Sequence, residues 1–121
     1  MSRYIDGFVV PVPKRKLTAY RNMARRAGKV WKEHGALEYV ECVADDVSWG
    51  KRTSFPRSVK MKRPSETVVF SFVVYRSRAD RDRIIKKVMG DPRLKDMMES
   101  KTLPFDAKRM IYGGFKTLVE L

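Results

Sequence analysis

Residues 67–75, with the sequence TVVFSFVVY, are apolar at both odd-numbered and even-numbered positions. Neighbouring side chains of a strand point to opposite faces of a sheet, so this run predicts a strand that is covered on both faces. Residues 3–12, RYIDGFVVPV, share the property, with Tyr4, Phe8 and Val10 on one side and Ile5 and Val9 on the other. The chain is therefore expected to form a sheet that buries both of its faces.

The other segments alternate between strand and helix patterns. Apolar side chains at steps of three and four predict a first helix, which ends before Gly35, and capping residues mark the starts of two more. The predicted strands are residues 3–12, 36–45, 67–75 and 107–118, and the helices are residues 14–34 and the segments after Ser77 and after Asp91.

The order β-α-β-β-α-β predicts a ferredoxin-like α+β fold, in which four antiparallel strands carry both main helices on one face. With 121 residues and 43% hydrophobic content, the chain is long enough for one domain, residues 1–121. The predicted elements leave the second sheet face without cover. A second copy that packs sheet against sheet would cover it, which predicts a homodimer through the open sheet face, a dimeric α+β barrel.

Four stretches of the chain carry a resemblance to known proteins. They are YIDGFVVPVPKRKLTAYRNMARRAGKVWKEHGALEYVECVADD, TSFPRSVKMK, FSFVVYRSRADRDRIIKKVMGDPRL and PFDAKRMIYGGF. Together they resemble the YbaA-like family of uncharacterised bacterial proteins, within the dimeric α+β barrel group. The resemblance implies the dimeric ferredoxin-like fold and no established activity. Relatives in the wider group include small monooxygenases, haem-handling proteins and isomerases, which bind ligands in a pocket between sheet and helices.

Four residues are candidates for such a pocket, because charged side chains in a predicted core need partners. Asp6 lies in the middle of strand 1, and the predicted fold places strand 4 beside it, so that Arg109 or Lys108 would reach Asp6 and Tyr112 would add a hydroxyl. One interpretation is a core ion pair without a catalytic role. The other is a pocket for a small polar or anionic ligand, lined by Asp6, Glu41, Arg109 and Tyr112.

The long connection at residues 45–66 is a second candidate, since connections of this length are uncommon unless they are functional or contain a short element. The stretch FPRSVKM within it predicts a helical turn. Its aromatic and basic side chains suit either a lid over an anionic ligand or a dimer contact. These side chains are Trp49, Arg52, Phe55 and Arg57.

Metal and nucleophile chemistry have few candidate residues. The chain has one histidine, His34 at the end of the first helix, and one cysteine, Cys42, which is expected to be a small core residue. No metal, cofactor or hydrolase triad is therefore predicted. The chain has no run of eighteen apolar residues and no signal-peptide pattern, so a cytoplasmic protein without a membrane span is expected.

The net charge of +13 makes nucleic acid or another polyanion a second candidate partner. Residues 68–75 match the aromatic positions of an RNA-recognition strand but lack its basic residue and glycine, so binding by the sheet is not favoured. The sequence therefore predicts a homodimeric small-molecule-binding module or a minor metal-independent enzyme, with a nucleic-acid-associated protein as the alternative.

Gly113 and Gly114 lie side by side in the fourth predicted strand, where glycine weakens a sheet. A phosphate-binding loop would place glycines before a helix, whereas these precede more strand. Because adjacent residues point to opposite faces, one glycine is expected to leave room toward the helices and the other toward a dimer partner.

Overall fold

The computed structural model describes residues 2–99 and 103–121 and gives an α+β domain built on one four-stranded antiparallel sheet. The strands lie in the order β2-β3-β1-β4, so that β2 and β4 form the two edges. The α+β class and the antiparallel sheet predicted from the sequence are confirmed. The strands are β1 (Tyr4–Pro13), β2 (Glu38–Val43), β3 (Glu66–Tyr75) and β4 (Ile111–Lys116).

The helices begin and end where the sequence provides caps. Gly35 follows the first helix with a φ of 118°, a left-handed conformation that glycine adopts without strain. The Ser77 hydroxyl accepts a hydrogen bond from the Asp80 amide at 3.1 Å, and the Asp91 carboxylate accepts one from the Arg93 amide at 3.0 Å. The helices are α1 (Leu17–Glu33), α2 (Phe55–Ser58), α3 (Arg78–Met89) and α4 (Pro92–Met98), with 3-10 turns at Lys14–Lys16 and Ala107–Arg109.

Both α1 and α3 pack on one face of the sheet, which we call the helix face. Trp31 of α1 and Ile84 and Val88 of α3 share a buried cluster with Val73 and Tyr75 of β3. A second cluster joins α1 to the other end of β1 and contains Val10, Val12, Tyr20, Ala24 and Val69. The helix-face side chains alternate with those of the opposite face along each strand, as the period of two requires.

The opposite face, here called the open face, is partly covered by the chain itself. Val59, directly after α2, is buried against Val9 and Val68 of the sheet. The expectation that no element of the chain covers this face is therefore wrong, because residues 45–66 fold back over one end of it. Four apolar side chains on this side of the sheet stay exposed, and they are Phe55, Phe70, Ile111 and Phe115 at 50%, 42%, 45% and 64%.

Two further expectations change with the observed strand bounds. Strand β4 begins at Ile111 and not at residue 107, because the Asp106 carboxylate caps a 3-10 turn by accepting a hydrogen bond from the Lys108 amide at 3.0 Å. Cys42 is exposed on the edge strand β2 instead of lying in the core. Its even position in β2 directs it to the open face, where it lies opposite Phe70 of β3.

Arg109, within that 3-10 turn, forms hydrogen bonds to the end of the connection at residues 45–66. Its guanidinium donates to both carboxylate oxygens of Glu66, at 2.8 and 2.7 Å, and to the Lys60 carbonyl at 3.0 Å. The Arg109 guanidinium holds the pKa of Glu66 below its usual value. Arg109 therefore has a structural role at the end of the sheet, away from Asp6.

No helix in the described part of the chain is long and apolar enough to cross a membrane.

Candidate functional site

A cavity of about 560 Å³ lies between the helix face of the sheet and the helices. A cavity therefore lies where the sequence predicts a pocket. Its sheet side is formed by Asp6, Phe8, Val10, Tyr39, Glu41, Ser71, Val73 and Tyr112. Three of the four predicted pocket residues, Asp6, Glu41 and Tyr112, line it, and Arg109 does not.

The strand register explains why these three come together. Phe8 lies opposite Tyr112 of β4 on one side and opposite Ser71 of β3 on the other, and Ser71 lies opposite Glu41 of β2. One row across the sheet therefore runs from Tyr112 to Glu41. Asp6 belongs to the next row, since it pairs with Gly114 and Val73.

Asp6 is buried, and its partner is Arg81 of α3. The Arg81 Nε donates to Asp6 Oδ1 and Oδ2 at 3.1 Å each, and Nη2 donates to Oδ1 at 2.9 Å. This contact raises the pKa of Arg81 above its ordinary value. The predicted pairing of Asp6 with Arg109 or Lys108 is wrong, because those residues precede β4 and the β4 residue opposite Asp6 is Gly114.

A signal for Arg81 was present in the sequence. The buried residues of α3 are Ile84 and Val88, and Arg81 precedes them by three and seven residues, which places it on the same side of the helix. An arginine on the buried side of a helix that packs over a buried aspartate is the expected bidentate partner. The partner was expected on the neighbouring strand, and the structure places it on α3 instead.

Gly114 makes room for this ion pair. A Cβ atom at position 114 would lie 2.5 Å from the Tyr4 hydroxyl and 2.6 Å from Arg81 Nη2, both on the helix face. A Cβ at Gly113 would lie 3.6 Å from the Phe115 ring on the open face, an ordinary contact distance. The expectation that the two glycines face opposite sides of the sheet is confirmed.

We expect the variant Gly114→Val to lose about 1–3 kcal/mol of unfolding free energy, since its side chain displaces the Arg81 guanidinium from Asp6. Gly113→Val is the matched control, because it adds the same side chain where the nearest atoms, in the Phe115 ring, lie at an ordinary contact distance. Its expected change in the unfolding free energy of the monomer is within about 0.5 kcal/mol. Urea denaturation of both variants measures the difference, and equal losses would contradict the assignment of Gly114 to the ion pair.

Glu41 is held by two tyrosines. Its two oxygens accept hydrogen bonds from the Tyr20 and Tyr39 hydroxyls at 2.7 Å each. Burial and the nearby Glu41 carboxylate raise the pKa of both tyrosines far above the usual value, so they remain protonated donors. These three side chains also line a second space, a groove between α1 and β2.

The other walls of the cavity are rich in methionine. Five of the seven methionines of the chain line it, and they are Met23, Met89, Met97, Met98 and Met110. Thioether side chains are flexible and adapt to ligands of different shape. Tyr112 is 73% exposed and stacks on Phe8 with ring centroids 6.2 Å apart, so it lies at the mouth of the cavity.

The residues predicted as a lid lie outside the cavity. Phe55 packs edge-on against Phe70 of the open face, at 6.0 Å between ring centroids. The guanidinium groups of Arg57 and Arg63 lie over the Trp49 ring, at 4.9 and 3.7 Å from its centre, and Arg52 is exposed. This arrangement puts the segment on the opposite side of the sheet from the pocket, where it cannot close over a ligand.

His34 is the C-terminal cap of α1, as expected, and its Nε2 lies 2.9 Å from Asp91 Oδ2 at the start of α4. It therefore joins two helix ends. Within residues 2–99 and 103–121, no group of three or more His, Cys, Asp and Glu side chains is arranged to hold a metal ion.

Comparisons with known proteins give a family and a fold. Residues 3–107 match the family described as "Protein of unknown function (DUF1428)". The uncharacterized protein YbaA of Escherichia coli K12 is 51% identical over 118 residues, which is 98% of each chain, and YbaA of Shigella flexneri gives the same values. A NIPSNAP family protein of unknown function from Agrobacterium tumefaciens is similar in structure, with a TM-score of 0.59, 14% identity and coverage of 95% of this chain and 87% of that one.

Proposed function

The chain belongs to the DUF1428 family of proteins of unknown function, and on that premise we propose that it binds a small, largely apolar molecule with a hydroxyl head in the cavity between sheet and helices. In this proposal the protein works as a homodimer, with the open faces of two ferredoxin-like sheets packed together as a dimeric α+β barrel. The observation that carries the proposal is the Glu41 carboxylate, held by two tyrosine hydroxyls within a methionine-lined cavity.

The size and lining of the cavity support a small organic ligand. Its volume of about 560 Å³ falls within the range of about 300–1,000 Å³ that is usual for such sites. Aromatic and thioether walls favour an apolar body. A carboxylate accepts up to about four hydrogen bonds, so Glu41 retains acceptor capacity beyond its two tyrosines.

The charged side chains that line the cavity favour a ligand with a neutral polar group over an anionic ligand. Arg81 is engaged by Asp6, and Glu41 adds a negative charge. Arg109, the residue expected to bind an anion, is engaged by Glu66 at the other end of the sheet. A hydroxyl can donate to Glu41, whereas a carboxylate ligand would be repelled by it.

Equilibrium dialysis with 4-butylphenol and 4-butylbenzoate tests this proposal. We expect the phenol to bind at least about tenfold more tightly than the benzoate, since a hydrogen bond to a charged acceptor contributes about 1.5–3 kcal/mol. Glu41→Gln should remove most of this preference. Glu38→Gln is the matched control, because Glu38 lies on the same strand and is exposed on the opposite face.

Two results would reject the proposal. One is tighter binding of the benzoate, and the other is the same preference in wild type and Glu41→Gln. Circular dichroism and thermal denaturation of each variant establish that the fold is intact.

A further inference from the structure

A groove of about 620 Å³ runs between α1 and the edge strand β2, outside the cavity. Its floor includes Leu17, Ala24 and Val69, which are apolar. One rim is cationic and belongs to a single helix. It consists of Arg21, Arg25, Lys29 and Lys32.

The strand on the other side of the groove has unpaired backbone groups. Among the described residues, β2 pairs with β3 alone. The Ala44 amide donates to the Val68 carbonyl at 2.9 Å, and hydrogen-bonded residues alternate along an antiparallel pair. The amides and carbonyls of Tyr39, Glu41 and Val43 therefore point away from β3, toward the open edge.

The helix and the strand run side by side in opposite directions along the groove. Lys32 Nζ donates to the Leu37 carbonyl at 2.7 Å, a Cβ at Gly28 would lie 2.7 Å from the Tyr39 ring, and Tyr20 contacts Glu41. Residues four apart on a helix are separated by about 6 Å along its axis, and alternate residues of a strand by about 6.8 Å. An added strand would thus present every second side chain to one basic residue of α1.

These cations have no acidic partner in the described part of the chain. No ion pair there involves Arg21, Arg25 or Lys29. Glu41 borders the groove, but among the described residues no ion pair joins it to these cations.

We propose that this groove binds an extended acidic segment of a partner protein, which adds a strand to the β2 edge and places alternate carboxylates against Arg21, Arg25 and Lys29. Main-chain hydrogen bonds to an open edge are a general mode of peptide binding. A second copy of the chain is disfavoured as the occupant, because two such edges would bring two cationic helices together and the chain carries a net charge of +13. A nucleic acid is disfavoured because it offers neither strand-like amides for the β2 edge nor a match for the apolar floor.

Fluorescence anisotropy with a dye-labelled peptide of about ten residues, made of alternating threonine and glutamate, tests the proposal. The control peptide has the same composition arranged in Thr-Thr-Glu-Glu blocks, which keeps the charge and removes the period of two. A third peptide carries N-methyl groups on alternate amides, and a thymidine oligonucleotide of equal length probes nucleic acid. We expect the alternating peptide to bind at least about tenfold more tightly than the other three.

The variants separate strand addition from general charge attraction. Arg25→Ala/Lys29→Ala should weaken binding of the alternating peptide by about tenfold or more. Lys86→Ala/Lys87→Ala removes the same charge from exposed positions of α3 and should change it by less than about threefold. Val43→Pro should also weaken binding, because it removes an outward-pointing amide and leaves the pairing with β3 intact.

Equal binding of the alternating and block peptides, or equal effects of the two double variants, would overturn the proposal in favour of general charge attraction. Tighter binding of the oligonucleotide would overturn it in favour of nucleic acid. Self-association that the peptide competes away and that Val43→Pro abolishes would assign the groove to a second copy of the chain.

Discussion

Replacement of Arg81 by methionine is expected to reduce the unfolding free energy by about 3–5 kcal/mol, the cost of leaving one charge of a buried pair without its partner. Asp6 is 5% exposed, and Arg81 donates three hydrogen bonds to its carboxylate. Methionine keeps the length of the side chain, so the loss reports on the charge and its hydrogen bonds. Urea denaturation at neutral pH measures it.

Two further variants make this prediction specific. In Asp6→Asn/Arg81→Met the unpaired charge is absent, so the double variant should be more stable than Arg81→Met alone. Arg83→Met is the surface control, since Arg83 lies two residues away on the same helix, is 50% exposed and pairs with Asp80 at 3.3 Å. Its cost should stay below about 1 kcal/mol. If Arg81→Met and Arg83→Met cost the same, Asp6 is not held as the structure indicates.

Replacement of Phe70 by lysine is expected to raise the dissociation constant of the proposed homodimer by about 100-fold or more. Phe70 lies on the open face, 42% exposed, with Phe55 and Phe72 at ring distances of 6.0 and 6.1 Å. In a twofold interface the substitution buries a lysine in each copy, and the loss of a central aromatic anchor alone amounts to about 2 kcal/mol or more. Sedimentation velocity over a concentration series measures the shift.

Val43→Lys is the control for this experiment. Val43 is 50% exposed on β2 and faces the helix side of the sheet, so a charge there leaves the open face unchanged. Its dissociation constant should stay within about threefold of wild type. A wild-type chain that sediments as a monomer at micromolar concentration would contradict the dimer itself, and an equal effect of both variants would place the interface elsewhere.

The fold could be predicted because its signals are local and periodic. The apolar alternation of residues 67–75 and the caps at Gly35, Ser77 and Asp91 each depend on a few neighbouring residues, and the structure confirms them. The start of β4 was misplaced because Asp106 diverts residues 107–109 into a 3-10 turn. Arg109 was expected beside Asp6 because the register of β4 against β1 could not be read from the sequence, and that register places Gly114 opposite Asp6.

The candidate site was predicted in part. Asp6, Glu41 and Tyr112 reach one cavity because strand periodicity fixes the face of each residue. The partners depend on contacts between elements distant in sequence, such as Arg81 with Asp6 and Tyr20 with Glu41, which no local pattern specifies. The cover of the open face by Val59 also depends on how a long connection folds back, and composition does not determine that path.

The cavity and the groove share part of their lining. The shared side chains are Tyr20, Tyr39 and Glu41. A shift of these side chains that accommodates a molecule on one side also reshapes the other side. Thermodynamic linkage requires that a peptide changes the affinity for the small molecule by the same factor by which the small molecule changes the affinity for the peptide. This shared wall would couple the proposed small-molecule site to the proposed peptide site.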